Sequence, residues 1–256
     1  MINKRVLEAT SKDKFLGGEI SLFQPIDGYR ANIDSVFLAS AITAAKGQTV
    51  LDLGCGVGAV SICLMARVPK VKVVGVEIQK RYAELARLNF KINGFEADIL
   101  NCCINQIPPD FKELKYDYVF FNPPYFLNDT SMGRRNFEKQ ISKIEGGLIL
   151  DDWVNVAIRR CAVKGKIVMI HKVERLSQIL KAFESKIGGV EILPIVSKKG
   201  DPAKRILIRG EKGSAAPLKI LDPFHVHEGE KFGDYNKNFT VKAERILRHS
   251  KELFWS

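Results

Sequence analysis

The sequence predicts an α/β protein built on a doubly wound, mostly parallel sheet, and three observations support this fold class. Short apolar runs rich in β-branched residues alternate with stretches of helical periodicity. A glycine-rich turn joins the first of these core strands to the helix that follows it. The chain has 256 residues and 46% hydrophobic composition, which is enough to bury one substantial core. Alternation of this kind places successive strands parallel in one sheet, with helices on both faces.

The predicted core contains seven strands and four helices. The strands are predicted at 49–53, 72–77, 98–103, 117–122, 165–171, 190–197 and 205–209. The helices are predicted at 59–67, 80–93, 150–162 and 173–187. The turn between the last two strands is rich in lysine and contains Gly200 and Pro202. These two strands are therefore predicted to form an antiparallel hairpin at the sheet edge.

The core, predicted as residues 47–210, carries an extension at each end, and the whole chain is predicted to form a single structural domain. The N-terminal extension, residues 1–46, contains a helix predicted at 35–45 with Asp34 as its N-cap. The basic C-terminal extension, residues 211–256, is expected to pack on the core. No run approaches about 18 apolar residues, and the first ten residues lack the apolar centre of a signal peptide. We therefore expect a cytoplasmic protein without a membrane span.

The glycine-rich turn reads Gly-Cys-Gly-Val-Gly and predicts a cationic ligand. Gly54, Gly56 and Gly58 let a ligand approach the backbone closely, but the third glycine comes one residue too early for a dinucleotide fingerprint. Asp52 precedes the turn, where a carboxylate disfavours a pyrophosphate and favours a cation. S-adenosylmethionine fits, since it carries a sulfonium and an ammonium group. Glu77 ends the second strand, where an acid holds a ribose diol. A tight turn without a ligand, and a surface carboxylate, are the alternatives.

A second motif, Asn122-Pro123-Pro124-Tyr125, follows an apolar run at 118–121. Prolines cannot donate a ladder hydrogen bond, so the chain leaves the sheet there as a stiff corner. The corner presents an amide, a backbone carbonyl and an aromatic ring together. It suits a flat substrate with an NH2 group, whose hydrogens the amide oxygen and carbonyl accept while the ring stacks on its plane. On its own, the motif is equally consistent with a proline-terminated strand and a packing tyrosine.

Together, the two motifs resemble those of the class I S-adenosylmethionine-dependent methyltransferases, and the resemblance covers roughly residues 47–210. It implies a Rossmann-like sheet of seven strands and S-adenosylmethionine as the cofactor. The Asn-Pro-Pro-Tyr corner narrows the resemblance to enzymes that methylate N6 of adenine, N4 of cytosine, N2 of guanine or the glutamine side chain of release factors. In such enzymes the corner is catalytic, which here implies catalytic roles for Asn122, Pro123 and Tyr125.

Within the N-terminal extension, residues 24–39, which read Gln-Pro-Ile-Asp-Gly-Tyr-Arg-Ala-Asn-Ile-Asp-Ser-Val-Phe-Leu-Ala, resemble the segment that precedes the glycine turn in tRNA(Val) adenine-N6 methyltransferases. Similarity continues through Arg134-Arg135, Asp152-Trp153, residues 176–180 and the stretch from 202–205 through 212–214, and so extends over nearly the full chain. The resemblance implies that Asp34 helps the N-terminal extension to close over the cofactor and substrate site. It further implies that cofactor is bound by Asp34, Asp52, Gly54, Gly56, Gly58 and Glu77. Substrate-binding roles are implied for Tyr29, Arg30, Pro124, Arg134 and Arg135, the last two in a loop at 126–147 expected to grip the substrate.

One position departs from that family, whose members commonly carry an acid at the end of the third strand, close to the adenine of the cofactor. Aligning residues 101–104 with that site places Cys103 there. A thiol is a poor hydrogen-bond acceptor. We therefore expect weaker cofactor binding through Cys103, unless the backbone or Asp98 supplies the contact.

The charge distribution predicts a polyanionic partner. The net charge is +11. Residues 1–125 carry 15 Lys and Arg against 13 Asp and Glu, whereas residues 126–256 carry 25 against 16. The excess therefore follows the Asn-Pro-Pro-Tyr corner, where attraction to an RNA backbone is useful. A lysine-rich solvated surface is the alternative. The five cysteines show no C-x-x-C spacing, so neither a disulfide nor a metal site is predicted.

The sequence therefore predicts an S-adenosylmethionine-dependent N-methyltransferase that modifies N6 of an adenine in a tRNA anticodon loop. Three alternatives remain open: methylation of a protein glutamine at N5, methylation of guanine N2 in rRNA, and a catalytically idle RNA-binding module. Excess positive charge beyond residue 125 disfavours the first of these. Intact Asp52, Glu77 and Asn122 disfavour the last. The oligomeric state is not predicted.

Overall fold

The computed structural model of the chain describes residues 9–124, 148–228 and 239–255. The strands in these ranges are β1 (Thr10–Phe15), β2 (Ile20–Pro25), β3 (Thr49–Leu53), β4 (Lys72–Val76), β5 (Asp98–Leu100), β6 (Tyr116–Phe121), β7 (Cys161–Lys172), β8 (Ile187–Val196), β9 (Arg205–Lys212), β10 (Lys219–Ile220) and β11 (Phe224–His225). The α-helices in these ranges are α1 (Ile33–Ala41), α2 (Ala59–Arg67), α3 (Lys80–Ile92), α4 (Pro109–Lys112), α5 (Leu150–Arg160), α6 (Leu176–Phe183) and α7 (Val241–His249).

The main sheet confirms the predicted doubly wound α/β fold. Its strand order is β10-β8-β9-β7-β6-β3-β4-β5, and β11 also pairs with β8. Strands β3 to β7 are parallel, while β9 runs antiparallel to both of its neighbours, β7 and β8. The antiparallel pair β8–β9 is the predicted hairpin. It is not the outermost part of the sheet in the described ranges, because the two short strands β10 and β11 pair with β8.

The sheet is covered on both faces, which explains why its central strands are apolar along their whole length. Along β6, Tyr118 and Phe120 belong to the cluster formed with α1, α2, α3 and α7. Val119 and Phe121 belong to the cluster formed with α5 and α6 on the opposite face. Successive side chains of a strand point to opposite faces, so a strand that is buried on both sides loses the polar alternation of a surface strand.

The N-terminal hairpin β1–β2 is attached to α3 through two asparagines, Asn89 and Asn93. The Asn89 amide accepts from Phe23 N at 2.7 Å and donates to Phe23 O at 3.0 Å and to Val57 O at 2.9 Å. Asn93 makes the equivalent pair of bonds with the backbone of Ser21, at 3.0 and 2.8 Å. Asn89 is completely buried, whereas Asn93 is half-buried. A side-chain amide thus replaces the strand that would otherwise pair with β2.

The C-terminal residues lie against α1 and α2. Leu253 N donates to Ser40 O at 2.9 Å, and the Trp255 indole donates to Ala41 O at 2.9 Å. Arg67 forms an ion pair with Glu252 at 3.0 Å. These contacts supply partners for backbone carbonyls at the end of α1, which have none inside the helix. None of the helices in the described ranges has both the length and the apolar character that crossing a membrane requires.

Several predicted boundaries were wrong: the helix predicted to end at 45 ends at Ala41, and the strands predicted to begin at 165 and 190 begin at Cys161 and Ile187. Three further differences have an identifiable cause. Helix α1 is capped by Asn32, whose side chain accepts from Asp34 N at 2.8 Å, so Asp34 lies in the first turn and is not the N-cap. Strand β5 ends at Leu100 and not at 103, because the side chain of Asn101 turns back to donate to Glu77 O and Ile78 O. The helix predicted to reach residue 187 ends at Phe183, ahead of Ser185, whose φ is +59°.

Replacing Asn89 by alanine should destabilise the protein more than replacing Asn93. Asn89→Ala leaves three backbone groups without partners, of which Val57 O is buried and the two of Phe23 are part-buried. We expect a loss of about 2–4 kcal/mol in the free energy of unfolding. Asn93→Ala removes similar bonds at a half-buried position that water reaches, so its cost should stay below about 1.5 kcal/mol. Urea unfolding followed by circular dichroism measures both values. Equal losses of stability in the two variants would show that burial of the asparagine does not determine how strongly the hairpin is held on α3.

Candidate active site

The predicted site residues follow three neighbouring strands at one edge of the sheet. The glycine-rich turn follows β3, Glu77 follows β4 and Asn122 follows β6. Because β3 lies between β4 and β6 and all three are parallel, their carboxyl ends meet at this edge. The strand order reverses at β3, and open α/β sheets bind ligands at this kind of switch point. The structure therefore brings together the glycine-rich turn, Glu77 and Asn122, which the sequence analysis placed in one site.

The three glycines of the turn serve different purposes. A Cβ atom on Gly54 would lie 2.6 Å from the Trp153 ring, and one on Gly58 would lie 2.9 Å from the Phe90 ring. Both glycines are therefore required by the packing of the turn between α5 and α3. A Cβ atom on Gly56 would meet nothing within 4 Å. The middle glycine faces open space at the mouth of the site, where a ligand can approach the backbone.

Asp52 is a buried carboxyl group at the base of this site. It is 2% exposed and accepts a hydrogen bond from Ser61 Oγ at 2.6 Å. Burial raises the pKa of Asp52 to about 7; the Ser61 bond opposes this effect and the charge of Glu77 adds to it. No cation pairs with Asp52 among the residues that the structure describes. A cationic ligand would stabilise its charged form, so the position fits the sulfonium or ammonium group of S-adenosylmethionine.

Glu77 is held at the end of β4 by the glycine-rich turn and the start of α3. One oxygen accepts from Gly56 N at 3.0 Å and the other from Gln79 N at 2.8 Å. Burial raises the pKa of Glu77, and these backbone bonds oppose the shift. Each carboxylate oxygen has a second lone pair. The group is therefore oriented and still able to accept from the hydroxyls of a ribose.

Asn122 presents an amide at the end of β6. Its Nδ2 donates to the hydroxyl of Tyr29 at 3.2 Å. Its Oδ1 is buried and has no hydrogen-bond partner among the described residues. A buried acceptor without a partner costs about 1–3 kcal/mol, so such groups mark places where a ligand or water completes the bonding. Pro123, which follows, is buried and Pro124 is half-buried.

Tyr29 connects the N-terminal segment to Asn122. Its backbone carbonyl accepts from the Tyr82 hydroxyl at 3.1 Å, which fixes the segment against α3. Tyr29 is 53% exposed, and desolvation on its packed side raises its pKa, with the nearby charge of Asp34 adding to the shift. The hydroxyl therefore stays neutral at physiological pH and accepts from the Asn122 amide. The sequence analysis singled out Tyr29 but not Tyr82 or Ser61, which carry no motif and are recognised only by their contacts.

Other predicted site residues have different surroundings. All described contacts of the Arg30 side chain are with the N-terminal hairpin: Pro25 O at 2.7 Å, Ser11 Oγ at 2.9 Å and the Asp13 carboxylate. The predicted substrate role of Arg30 stays a prediction. Asp34 is buried and forms an ion pair with Arg205 at 2.7 Å. A cofactor role for Asp34 remains a prediction.

Cys103 lies three residues beyond β5, half-buried at the start of a 3-10 turn. Its predicted contact with the cofactor also remains a prediction. Tyr125, Arg134, Arg135 and the loop at 126–147 lie outside the described residues. In the described ranges, no group of three or more His, Cys, Asp or Glu side chains is placed to hold a metal ion.

Comparison with known proteins shows that this chain is similar to methyltransferases. Residues 29–142 match the methyltransferase small domain. A tRNA1(Val) (adenine(37)-N6)-methyltransferase of Actinobacillus pleuropneumoniae is 25% identical over 190 residues, covering 70% of this chain and 75% of the relative. An enzyme of the same name from Shewanella halifaxensis is 22% identical over 229 residues, covering 85% and 92%. One from Pedobacter heparinus is 31% identical over 121 residues, covering 46% and 50%.

Solved structures support the fold assignment. A protein described as a predicted O-methyltransferase from Agrobacterium tumefaciens superposes with a TM-score of 0.70 at 23% identity, covering 86% of this chain and 98% of that one. A 16S rRNA N2 methyltransferase of T. Thermophilus, solved with AdoMet and guanosine, superposes with a TM-score of 0.57 at 18% identity, covering 79% and 50%. With its methyltransferase small domain, its strand order and its site at the carboxyl ends of β3, β4 and β6, the chain belongs to the class I S-adenosylmethionine-dependent methyltransferases.

Proposed function

We propose that this methyltransferase modifies the exocyclic N6 of an adenine in RNA, and that the acceptor is the anticodon loop of a tRNA. The observation that carries the proposal is the buried Oδ1 of Asn122, which has no partner among the described residues. It lies at the end of the strand next to the glycine-rich turn, where an NH2 group of a bound base can supply the missing donor. The names of the relatives from Actinobacillus, Shewanella and Pedobacter agree with this acceptor.

Asn122 and Pro123 can activate such an amine by accepting its two hydrogens. An amine conjugated to a purine ring is a weak nucleophile, because its lone pair is delocalised into the ring. If Asn122 Oδ1 and the Pro123 carbonyl hold its hydrogens, the lone pair turns away from them. Losing one preorganised hydrogen bond of this kind lowers catalytic rates by about 10²–10³. The proton can leave to water afterwards, so no dedicated base is needed.

The remaining residues hold the cofactor beside this amine. S-adenosylmethionine, when bound, supplies an electrophilic methyl group on its sulfonium. Asp52 would stabilise the positive charge, Glu77 would accept from the ribose hydroxyls, and the backbone at Gly56 would allow the close approach. Burial of these groups excludes water and strengthens their electrostatic effect on the ligand.

RNA is proposed as the acceptor for two reasons: the excess positive charge of the chain, and the need for an unstacked base at the Asn-Pro-Pro-Tyr corner. The excess positive charge of the chain falls in residues 126–256. A base can reach Asn122 only when it is unstacked, and unstacking costs least in a single-stranded loop. Stacking of the base on Tyr125, worth about 1–3 kcal/mol, is proposed to retain it there. A tRNA anticodon loop provides an unpaired adenine and a polyanionic backbone together.

The proposal is tested by incubating the protein with radiolabelled S-adenosylmethionine and either unmodified bulk tRNA or total protein extract. We expect label in tRNA that is recovered as N6-methyladenosine on digestion. Asn122→Ala should lower the rate about 10²–10³-fold with unchanged cofactor affinity. Asn122→Asp keeps an acceptor oxygen at the corner and should be impaired less. Label in a protein, or label recovered as N2-methylguanosine, would overturn the adenine assignment.

Tyr29→Phe should reduce turnover because the Asn122 amide loses the partner that orients it. One neutral hydrogen bond contributes about 0.5–1.5 kcal/mol, so we expect kcat to fall about 3- to 10-fold with little change in KM for tRNA. Tyr116→Phe is the matched control: the Tyr116 hydroxyl is buried at the opposite end of β6 and has no described partner. A fall in kcat for Tyr116→Phe as large as that for Tyr29→Phe would show that the effect is structural.

Cofactor affinity should rise with pH because Asp52 must be ionised to attract a cation. With the pKa of Asp52 near 7, roughly a tenth of the ligand-free protein is ionised at pH 6 and most of it at pH 8. The dissociation constant for S-adenosylmethionine, measured by calorimetry, should therefore fall about tenfold over this range. The Asp52→Asn variant should bind S-adenosylmethionine weakly at every pH. Any pH dependence that remains in this variant comes from titration of the ligand and is subtracted from the wild-type values.

The same carboxyl group should make the ligand-free protein less stable as pH rises. In the unfolded chain it ionises near pH 4, whereas in the folded protein it stays protonated to about pH 7. The folded state therefore binds more protons between these values, and its stability should decrease from pH 4 to pH 7 through this group. Asp52→Asn should remove that contribution. If neither the affinity for S-adenosylmethionine nor the free energy of unfolding depended on pH, a raised pKa for Asp52 would be contradicted.

A further inference from the structure

A second cleft lies at the far edge of the main sheet, away from the candidate active site. It has a volume of about 800 Å³ and is formed between the outer strands β8, β10 and β11 on one side and α7 with the C-terminal residues on the other. None of the motifs described above contributes to it. Its floor is apolar, with Leu193, Ile246 and Leu253 buried beneath it.

The rim of this cleft is cationic. Lys242, Arg245 and Lys251 line it and are exposed. Two acids also line it, but Glu252 is paired with Arg67 at 3.0 Å, so only Asp222 offsets the three positive charges. Exposed like charges repel one another and gain little from packing, so such a cluster favours a polyanionic ligand.

Aromatic side chains line the same cleft as these cations. Phe254 lines the cleft and is 75% exposed. Trp255, beside it, is buried, with its indole donating to Ala41 O and the Arg209 guanidinium 4.3 Å from its ring. Trp255 is thus fixed in the floor, and it anchors the chain so that Phe254 presents its ring to solvent. An exposed ring in a cleft lined by positive charges is the arrangement by which proteins bind unpaired nucleotides.

The cleft reaches the carboxyl end of β8, which lies at the same end of the strands as the candidate active site. Strand β8 runs parallel to β7, and β11 pairs with Ile195 and Val196 at its carboxyl end, where His225 lines the cleft. Four strand spacings separate β6 from β11 through β7, β9 and β8, or about 19 Å at about 4.8 Å each. At about 3.4 Å per stacked nucleotide, this is the length of about six nucleotides. One RNA can therefore reach both places.

We infer that this cleft is a second RNA-binding site, which holds the substrate strand away from the target adenine through Lys242, Arg245 and Lys251, with an unpaired base on Phe254. The inference rests on the proposed function and extends it to a named surface. An acidic peptide would use the charges but would leave the exposed ring unexplained. Binding here retains the RNA without contributing to the methyl-transfer step.

The triple variant Lys242→Ala, Arg245→Ala and Lys251→Ala tests the inference. Its matched control is Lys46→Ala, Lys72→Ala and Lys112→Ala, which removes the same charge from exposed residues near the amino ends of β3, β4 and β6. Binding of an unmodified tRNA transcript is followed by fluorescence anisotropy at several salt concentrations. We expect the cleft variant to bind about tenfold or more weakly, with a salt slope smaller by about two to three. The control should keep most of the wild-type affinity and slope.

Phe254→Ala separates stacking from charge. It should weaken tRNA binding about fivefold or more while the salt slope stays unchanged. S-adenosylmethionine affinity should be unchanged in all of these variants. Cleft variants that bind tRNA as well as the control does would overturn the inference, even if wild-type protein forms N6-methyladenosine. Failure of the wild type to label tRNA would instead overturn the proposed function, and the binding assay reports on the cleft in either case.

Discussion

The burial of two carboxyl groups, Asp52 and Glu77, at adjacent strand ends is the constraint on which the rest of the site depends. Charges in a medium of low polarity are costly unless they are paired or hydrogen-bonded. The structure meets this cost differently for each group. Backbone N–H groups that include those of Gly56 and Gln79 hold Glu77, whereas the hydroxyl and backbone of Ser61 hold Asp52, whose pKa is raised to about 7. The fold thereby holds Asp52 as a buried carboxyl group whose charged form a cationic ligand would stabilise.

The packing around these carboxyls explains the form of the glycine-rich turn. Trp153 reaches the turn from α5 and stacks on Phe121 with ring centroids 6.2 Å apart. Phe90 reaches it from α3 on the other side. Both rings fill the space that side chains at Gly54 and Gly58 would occupy. Aromatic packing against Gly54 and Gly58 holds the turn in place, while Gly56 remains open to a ligand.

The sequence predicted the main sheet well because its signals are local. Strands buried on both faces are continuous apolar runs, and the proline pair after β6 marks its end without ambiguity. The errors lie where non-local contacts decide. Asn32 caps α1 instead of Asp34, which is drawn into an ion pair with Arg205 more than 170 positions away. The two-residue strands β10 and β11 carry no periodicity and exist only because β8 offers them an edge.

The same distinction applies to the site. Asp52, Glu77, the glycines and Asn122 follow strand ends, so the fold class alone brings them together. Ser61 and Tyr82 were missed because a serine in an apolar helix and a tyrosine on a helix face carry no chemical signature in sequence. The guanidinium of Arg30 holds the N-terminal hairpin, which its sequence position did not reveal, and its substrate role stays a prediction. A charged side chain in a binding segment does not reveal its partner until the surrounding turns are known.

The bond between Tyr29 and Asn122 bears on how the Asn-Pro-Pro-Tyr sequence is used to infer substrates. The orientation of the amide, and hence which of its ends faces the ligand, depends on a hydroxyl that lies 93 positions earlier in the chain. Two methyltransferases with the same four residues at the corner, but a different side chain at the position of Tyr29, need not present the same acceptor. Comparisons of acceptor specificity in this class should therefore consider the residues at the positions of Tyr29 and Asn122 together.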